Sequence, residues 1–248
     1  MKRAVLAAVV LLASGCGDDG PTLETQGPPF EPTKASVYFL REGKVWPVLR
    51  QVPILDAADL PAAALAELVA GPTEQEATEL ALTTAIPDVG EDPDVSVEDG
   101  VAAVELDVQL VDEALAQVVY TLTQFPTVER VEIQERIVTR ADFENETPAI
   151  LVESPLSFEE VTSPLRVTGT ANTFEANFQY ELTDTDGRIV DQNFVTATSG
   201  TGTRGTFDFT TDPFTVPFDG IGELIVFESS AKDGSRINLV EIPLRMKR

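Results

Sequence analysis

The hydrophobic period of the chain changes once, near Ile150, and that change limits the fold more than any other feature. Before it, helical and alternating spacings are interleaved. Leu65, Leu68 and Val69 form a short helical stripe that stops at Gly71-Pro72, preceded by a capping residue, Asp59, and a first-turn proline, Pro61. Leu115, Val118, Val119 and Leu122 fall at i, i+3, i+4 and i+7, which predicts a helix with one apolar face ending near Phe125-Pro126. Two hairpins are expected, residues 36–40 with 45–50 around Glu42-Gly43-Lys44, and 95–97 with 101–106 around Asp99-Gly100. Val128, Val131 and Ile133 open a last strand. These elements make a small α+β layer over residues 34–141, helices packed on a sheet.

Past Ile150 the helical period is gone. Phe174, Ala176, Phe178, Tyr180 and Leu182 alternate with polar residues, as in a strand with one buried face. Turn signals at Asp184-Thr185-Asp186-Gly187, Ser199-Gly200, Asp219-Gly220 and Asp233-Gly234-Ser235 separate about seven strands, the number expected of an immunoglobulin-like sandwich over residues 149–248. One cysteine in 248 residues rules out the inter-sheet disulfide of antibody domains, so apolar packing must join the sheets. Residues 142–148 (DFENETP) read as the linker. The overall class is α+β: a sheet-and-helix domain followed by an all-β sandwich.

The first 33 residues read as an address. Lys2 and Arg3 precede ten apolar residues and then Ser14-Gly15-Cys16, the layout of a secretory signal over residues 1–15. The apolar run is too short for a membrane-spanning helix, which needs about 20 residues. Leu12-Ala13-Ser14-Gly15-Cys16 resembles a bacterial lipobox, with Ala13 where leucine is usual. That resemblance implies lipidation of Cys16, cleavage before it, and anchorage on the extracytoplasmic face of the cell membrane. Residues 16–33, rich in Gly, Pro and acid, then form a solvated tether.

Further residues carry a second resemblance. Residues 36–52, Ala70-Gly71-Pro72-Thr73, Thr84-Ala85-Ile86-Pro87, residues 95–107 and residues 118–126 (VVYTLTQFP) resemble a GerMN domain. Residues 150–155, 162–169 and 227–235 resemble the immunoglobulin-like domain that accompanies GerMN in bacterial lipoproteins. Residues 133–138 (IQERIV) depart from the Val-Asp-Gly-like turn of many GerMN domains, so the last hairpin is expected to be altered. The family implies sporulation or spore germination, and modules that build complexes instead of catalysing reactions.

Composition removes most alternatives. The chain has no histidine, which excludes His-based triads and imidazole-ligated zinc or haem. Its 42 acidic against 17 basic residues give a formal charge of −25, repelled by nucleic acid and by anionic lipid headgroups. Glu159-Glu160, Asp18-Asp19 and Glu91-Asp92 read as solvated acids before glycosidase pairs. Asp184-Thr185-Asp186-Gly187 lacks the remaining ligands of an EF-hand and reads as a tight turn. Ser154, Ser163 and Ser229 have no base to activate them. Gly200-Thr201-Gly202-Thr203 lacks the ending of a phosphate loop and reads as a flexible turn. Trp46 is either a partner contact or hairpin packing, and the phenylalanines occupy core-like positions. No catalytic residue, cofactor or metal site is expected. The expected role is a non-enzymatic scaffold within an envelope protein complex, with binding of peptidoglycan or another envelope polysaccharide as the alternative.

Overall fold

The computed structural model describes residues 33–52, 56–90 and 93–248. Cys16 and the signal and tether readings lie outside the described residues, as do Asp18-Asp19 and Glu91-Asp92. The described residues cluster as one compact unit.

The first segment opens with β1 (Thr33–Arg41) and β2 (Lys44–Val52), paired antiparallel. Glu42 and Gly43 both have positive φ (53° and 74°), the twist-matched turn of a two-residue hairpin. Helix α1 (Leu60–Val69) has Pro61 in its first turn, but Asp59 makes no side-chain capping bond. Asp56 caps instead, accepting from the Ala58 amide at the head of a short 3-10 turn that leads into α1. Helix α2 (Glu74–Glu79) starts on a complete capping box between Thr73 and Glu76. Then follow β3 (Asp94–Glu98), β4 (Val101–Glu105), α3 (Asp112–Leu122), β5 (Arg130–Ile133) and β6 (Arg136–Val138). They form a four-stranded sheet ordered β3-β4-β5-β6, with α3 as the crossover between parallel β4 and β5.

One expectation needs correction here. Helix α3 does not have one apolar face: every residue from Ala114 to Leu122 is buried, because β1, β2, α1 and β5 all pack on it. Its polar residues are used inside. Gln117 accepts from the Ala85 amide at 2.8 Å and donates to the Tyr38 carbonyl at 3.1 Å, and the Thr121 hydroxyl accepts from the Tyr38 amide. The helix stops at Leu122, before Phe125. The last hairpin, expected to be altered, is present with a turn that lacks glycine: Ile133 pairs with Arg136 across Gln134 and Glu135, both at positive φ (53° and 62°). The turn needs that backbone geometry and obtains it without glycine.

The second segment begins at β7 (Ile150–Ser154) and continues through β8 (Glu160–Val161), β9 (Arg166–Ala171), β10 (Asn177–Thr183), β11 (Ile189–Thr196), β12 (Gly205–Thr210), β13 (Gly220–Ser229) and β14 (Arg236–Met246). A five-stranded sheet, β11-β10-β13-β14-β8, faces a three-stranded one, β12-β9-β7. Aromatic pairs join them: Phe178 meets Phe207 edge-on at 4.9 Å between centroids, and Tyr180 stacks on Phe209 at 4.5 Å. At Gly169 a Cβ would lie 2.1 Å from the Leu151 carbonyl and 2.7 Å from the Phe207 ring, so close packing requires glycine there.

The alternating strand expected from Phe174 starts three residues later. Phe174–Ala176 is a 3-10 turn with Glu175 and Ala176 at positive φ, and Phe174 is exposed. The Gly200-Thr201-Gly202-Thr203 turn is pinned, not flexible. The Thr201 amide donates to the Thr173 carbonyl, the Gly202 amide to Asn172 Oδ1, and the Thr201 hydroxyl accepts from the Glu175 amide, all at 2.9 Å.

Candidate functional site

No group of three or more acidic or cysteine side chains is arranged to hold a metal among the described residues. The adjacent acids Glu159 and Glu160 are separated by their partners. Glu159 accepts from the Leu156 amide, while Glu160 pairs with Lys247. Asp184 is buried and closes its own turn, accepting from the Asp186 and Arg188 amides at 2.9 Å each. Ser163 and Ser229 spend their hydroxyls accepting from the Phe214 amide and from Gln179.

The densest polar constellation lies where the two segments meet, at residues that composition alone did not single out. Arg140, at the start of the 3-10 turn Arg140–Glu146, donates to Glu153 Oε1 on β7 at 2.7 Å and to the Thr123 hydroxyl at 2.7 Å. Tyr38 of β1 donates its hydroxyl to the same Glu153 oxygen at 2.8 Å. The guanidinium lies 4.6 Å over the Tyr120 ring and 5.7 Å from the Tyr38 ring. Burial first, and the Glu153 charge second, push the Tyr38 phenol well above its ordinary value, so it stays protonated and remains a donor. Tyr120 shares a 2.7 Å hydrogen bond with Thr147.

The segment read as a linker, 142–148, is part of this junction. Glu144 accepts from Arg204 at 2.9 Å and from Asn172 at 2.8 Å, and Lys44 donates to the Asn145 carbonyl. Burial pushes the Glu144 carboxyl upward, but the Arg204 and Asn172 hydrogen bonds and nearby cations outweigh it and hold the group below its ordinary value. These contacts tie side chains of the two segments to one another and to the 140–148 stretch.

Beside this network, Trp46 and Pro47 of β2 border a small apolar cleft with Ile150, Val152, Val240 and Ile242. About 10 Å³ is open to water, room for a single molecule at most. Trp46 is 8% exposed, under the Arg41 guanidinium at 4.6 Å. Of its two readings the packing one describes its position, with the difference that it packs on the sandwich and not only within its hairpin. Its indole N–H has no hydrogen-bond partner among the described residues.

Two other features could receive a partner. The four-stranded sheet ends in open edges, at β3 with Val97 exposed and at β6 with Ile137 exposed. Contrary to the core-like reading of the phenylalanines, Phe174, Phe194 and Phe218 are each more than half exposed. A sequence signal for such positions existed in Phe194-Val195 and Leu239-Val240: adjacent residues of a strand point to opposite faces, so where only one face is covered one apolar residue of each pair is exposed.

Compared with known families, residues 36–135 match the Germane family model, described as "Sporulation and spore germination". Residues 149–235 match the Gmad2 model, described as "Immunoglobulin-like domain of bacterial spore germination". Neither is a known enzyme family. No curated protein matches the chain.

Proposed function

With both segments matching families associated with sporulation and spore germination, we propose that the chain is a non-enzymatic envelope lipoprotein that docks into a protein assembly. Lipid on Cys16 anchors it to the cell membrane on the extracytoplasmic face, residues 16–33 tether it, and the 34–141 domain makes the docking contacts. The observation that carries this reading is the pairing itself, two germination-associated modules joined by a network of hydrogen bonds around Glu153 and Glu144. The open edges at β3 and β6 suit strand addition, in which backbone hydrogen bonds give affinity with little sequence signature. The burial of Trp46 weighs against the polysaccharide alternative, since it removes the one tryptophan on which a sugar ring could stack.

The test is crosslinking in the producing cells, followed by purification of the full chain and mass spectrometry. A recurring, near-stoichiometric envelope protein, lost when residues 36–140 are deleted, is the expected result. Recovery of cell-wall fragments without a protein partner would replace this reading with the polysaccharide-binding one.

A further inference from the structure

The outward face of an antiparallel sandwich sheet is ordinarily polar. That of the five-stranded sheet is only partly so, because large apolar side chains stand exposed among Gln179, Glu181, Gln192 and Glu241. Phe178, Tyr180, Leu182, Leu224, Val226 and Val240 are buried on its inner side, so the alternate residues face out. Register places Phe194, Gln179 and Phe227 in one outward row, and Gln192, Glu181, Ile225 and Glu241 in the next. Phe194 is 73% exposed on the edge strand β11, and Leu239 is 48% exposed on the same outward side of β14. Between them Phe227 is only 5% exposed, because the Arg236 guanidinium lies 4.2 Å above its ring and is held there by Glu181 at 2.5 Å. The face therefore has an apolar floor under one cation, with two apolar side chains standing free beside it.

Its charge is unbalanced. Glu223 pairs in register with Pro243 and Glu241 with Ile225, so the two residues are diagonal neighbours on one face, their backbone positions about 7–8 Å apart by sheet geometry. Neither makes an ion pair among the described residues. Burial, and next the Glu241 charge, raise the Glu223 carboxyl above its ordinary value, against a smaller opposing effect of the Arg41 guanidinium. Exposed apolar side chains on the same face as two carboxylates, offset only in part by Arg41, fit a partner that carries both apolar and basic side chains. A second copy of this chain does not fit. Two such faces would set four carboxylates against one another, on molecules of formal charge −25.

We propose that the outward sheet face between Phe194 and Leu239 docks a protein segment that seats an apolar side chain beside Phe194 and a Lys or Arg on the Glu223–Glu241 pair. This rests on the docking reading above but adds a second surface, on the sandwich, with a stated chemistry.

The test places a photo-crosslinking residue, p-benzoylphenylalanine, at Phe194 of the full chain in the producing cells, and separately at Ile137 on β6. The expected result at Phe194 is a discrete crosslink whose attached peptide carries Lys or Arg. Combining Glu223→Gln with Glu241→Gln should lower its yield about tenfold, the loss of two charge contacts across an interface. The Ile137 crosslink should be unchanged. Thermal melting checks that the double variant folds, and Glu241→Gln alone, at an exposed position, serves if it does not. Three results would overturn the inference: no crosslink at Phe194 while Ile137 still crosslinks, attachment to a second copy or an acidic peptide, or a yield indifferent to the two substitutions. Loss at both positions would strike the docking reading itself.

Discussion

At the scale of single residues, Glu153 is the hub of the molecule. One of its oxygens accepts from both Tyr38 and Arg140, residues 115 and 13 positions away in the chain. Glu153→Gln keeps the shape but removes the charge opposite Arg140, and should cost about 1.5–3 kcal/mol of unfolding free energy in denaturant titration, the usual worth of charge-assisted hydrogen bonds. Glu144 predicts a pH effect of definite sign. Its folded-state carboxyl is held below its ordinary value by Arg204 and Asn172, with Lys44 adding its charge. Its stabilisation is therefore present above the unfolded value of about 4.5 and is lost as pH falls through the folded value. Melts from pH 7 down to pH 3 should show a shallower acid limb for Glu144→Gln than for the parent. Neither hub was legible beforehand, because a charged side chain in a sequence rich in acids carries no mark of the distant tyrosine or arginine it will meet.

Elements were more legible than residues. The alternating and helical spacings located the hairpins β1–β2 and β3–β4, helix α3, and most strands of the sandwich, since burial periodicity is written locally. The failures have local physical causes. Packing from β1, β2, α1 and β5 together made α3 buried all round, which its own spacing could not show. The β5–β6 hairpin survives on Gln134 and Glu135, two residues that turn statistics disfavour. Gln134 at least donates to the Val108 carbonyl at 2.6 Å; Glu135 is exposed with no comparable contact among the described residues. Glu135→Gly should therefore stabilise the protein by about 1 kcal/mol, the strain of an L-residue in the left-handed region, less the entropy glycine loses on folding. Thermal unfolding checks it, and a lower melting temperature would mean that the turn is not strained.

At the scale of the whole molecule, the two segments that differ in period do not differ in core. One apolar cluster runs from Val37 and Trp46 through Tyr120 to Val152, Val240 and Ile242. Trp46→Ala should then cost about 3–5 kcal/mol, as large-to-small changes at packed aromatic sites do. The sharper prediction concerns cooperativity: calorimetry of the parent should show one transition, with the same midpoint for probes in either segment. Two separate transitions, only the earlier one shifted by Trp46→Ala, would show that the shared core is not energetically continuous.

That continuity bears on how such a chain can be rearranged by recombination. Two stretches recognised separately in the sequence invite exchange at the seven residues between them. Yet Glu144 and Asn145 in that stretch hold Arg204 and Lys44, and Trp46 closes against strands nearly two hundred positions downstream. A graft that replaces one segment discards half of a socket. The heritable unit is the pair together with its seam, and a chimera should fold only if residues 38, 46, 140 and 153 travel with their counterparts.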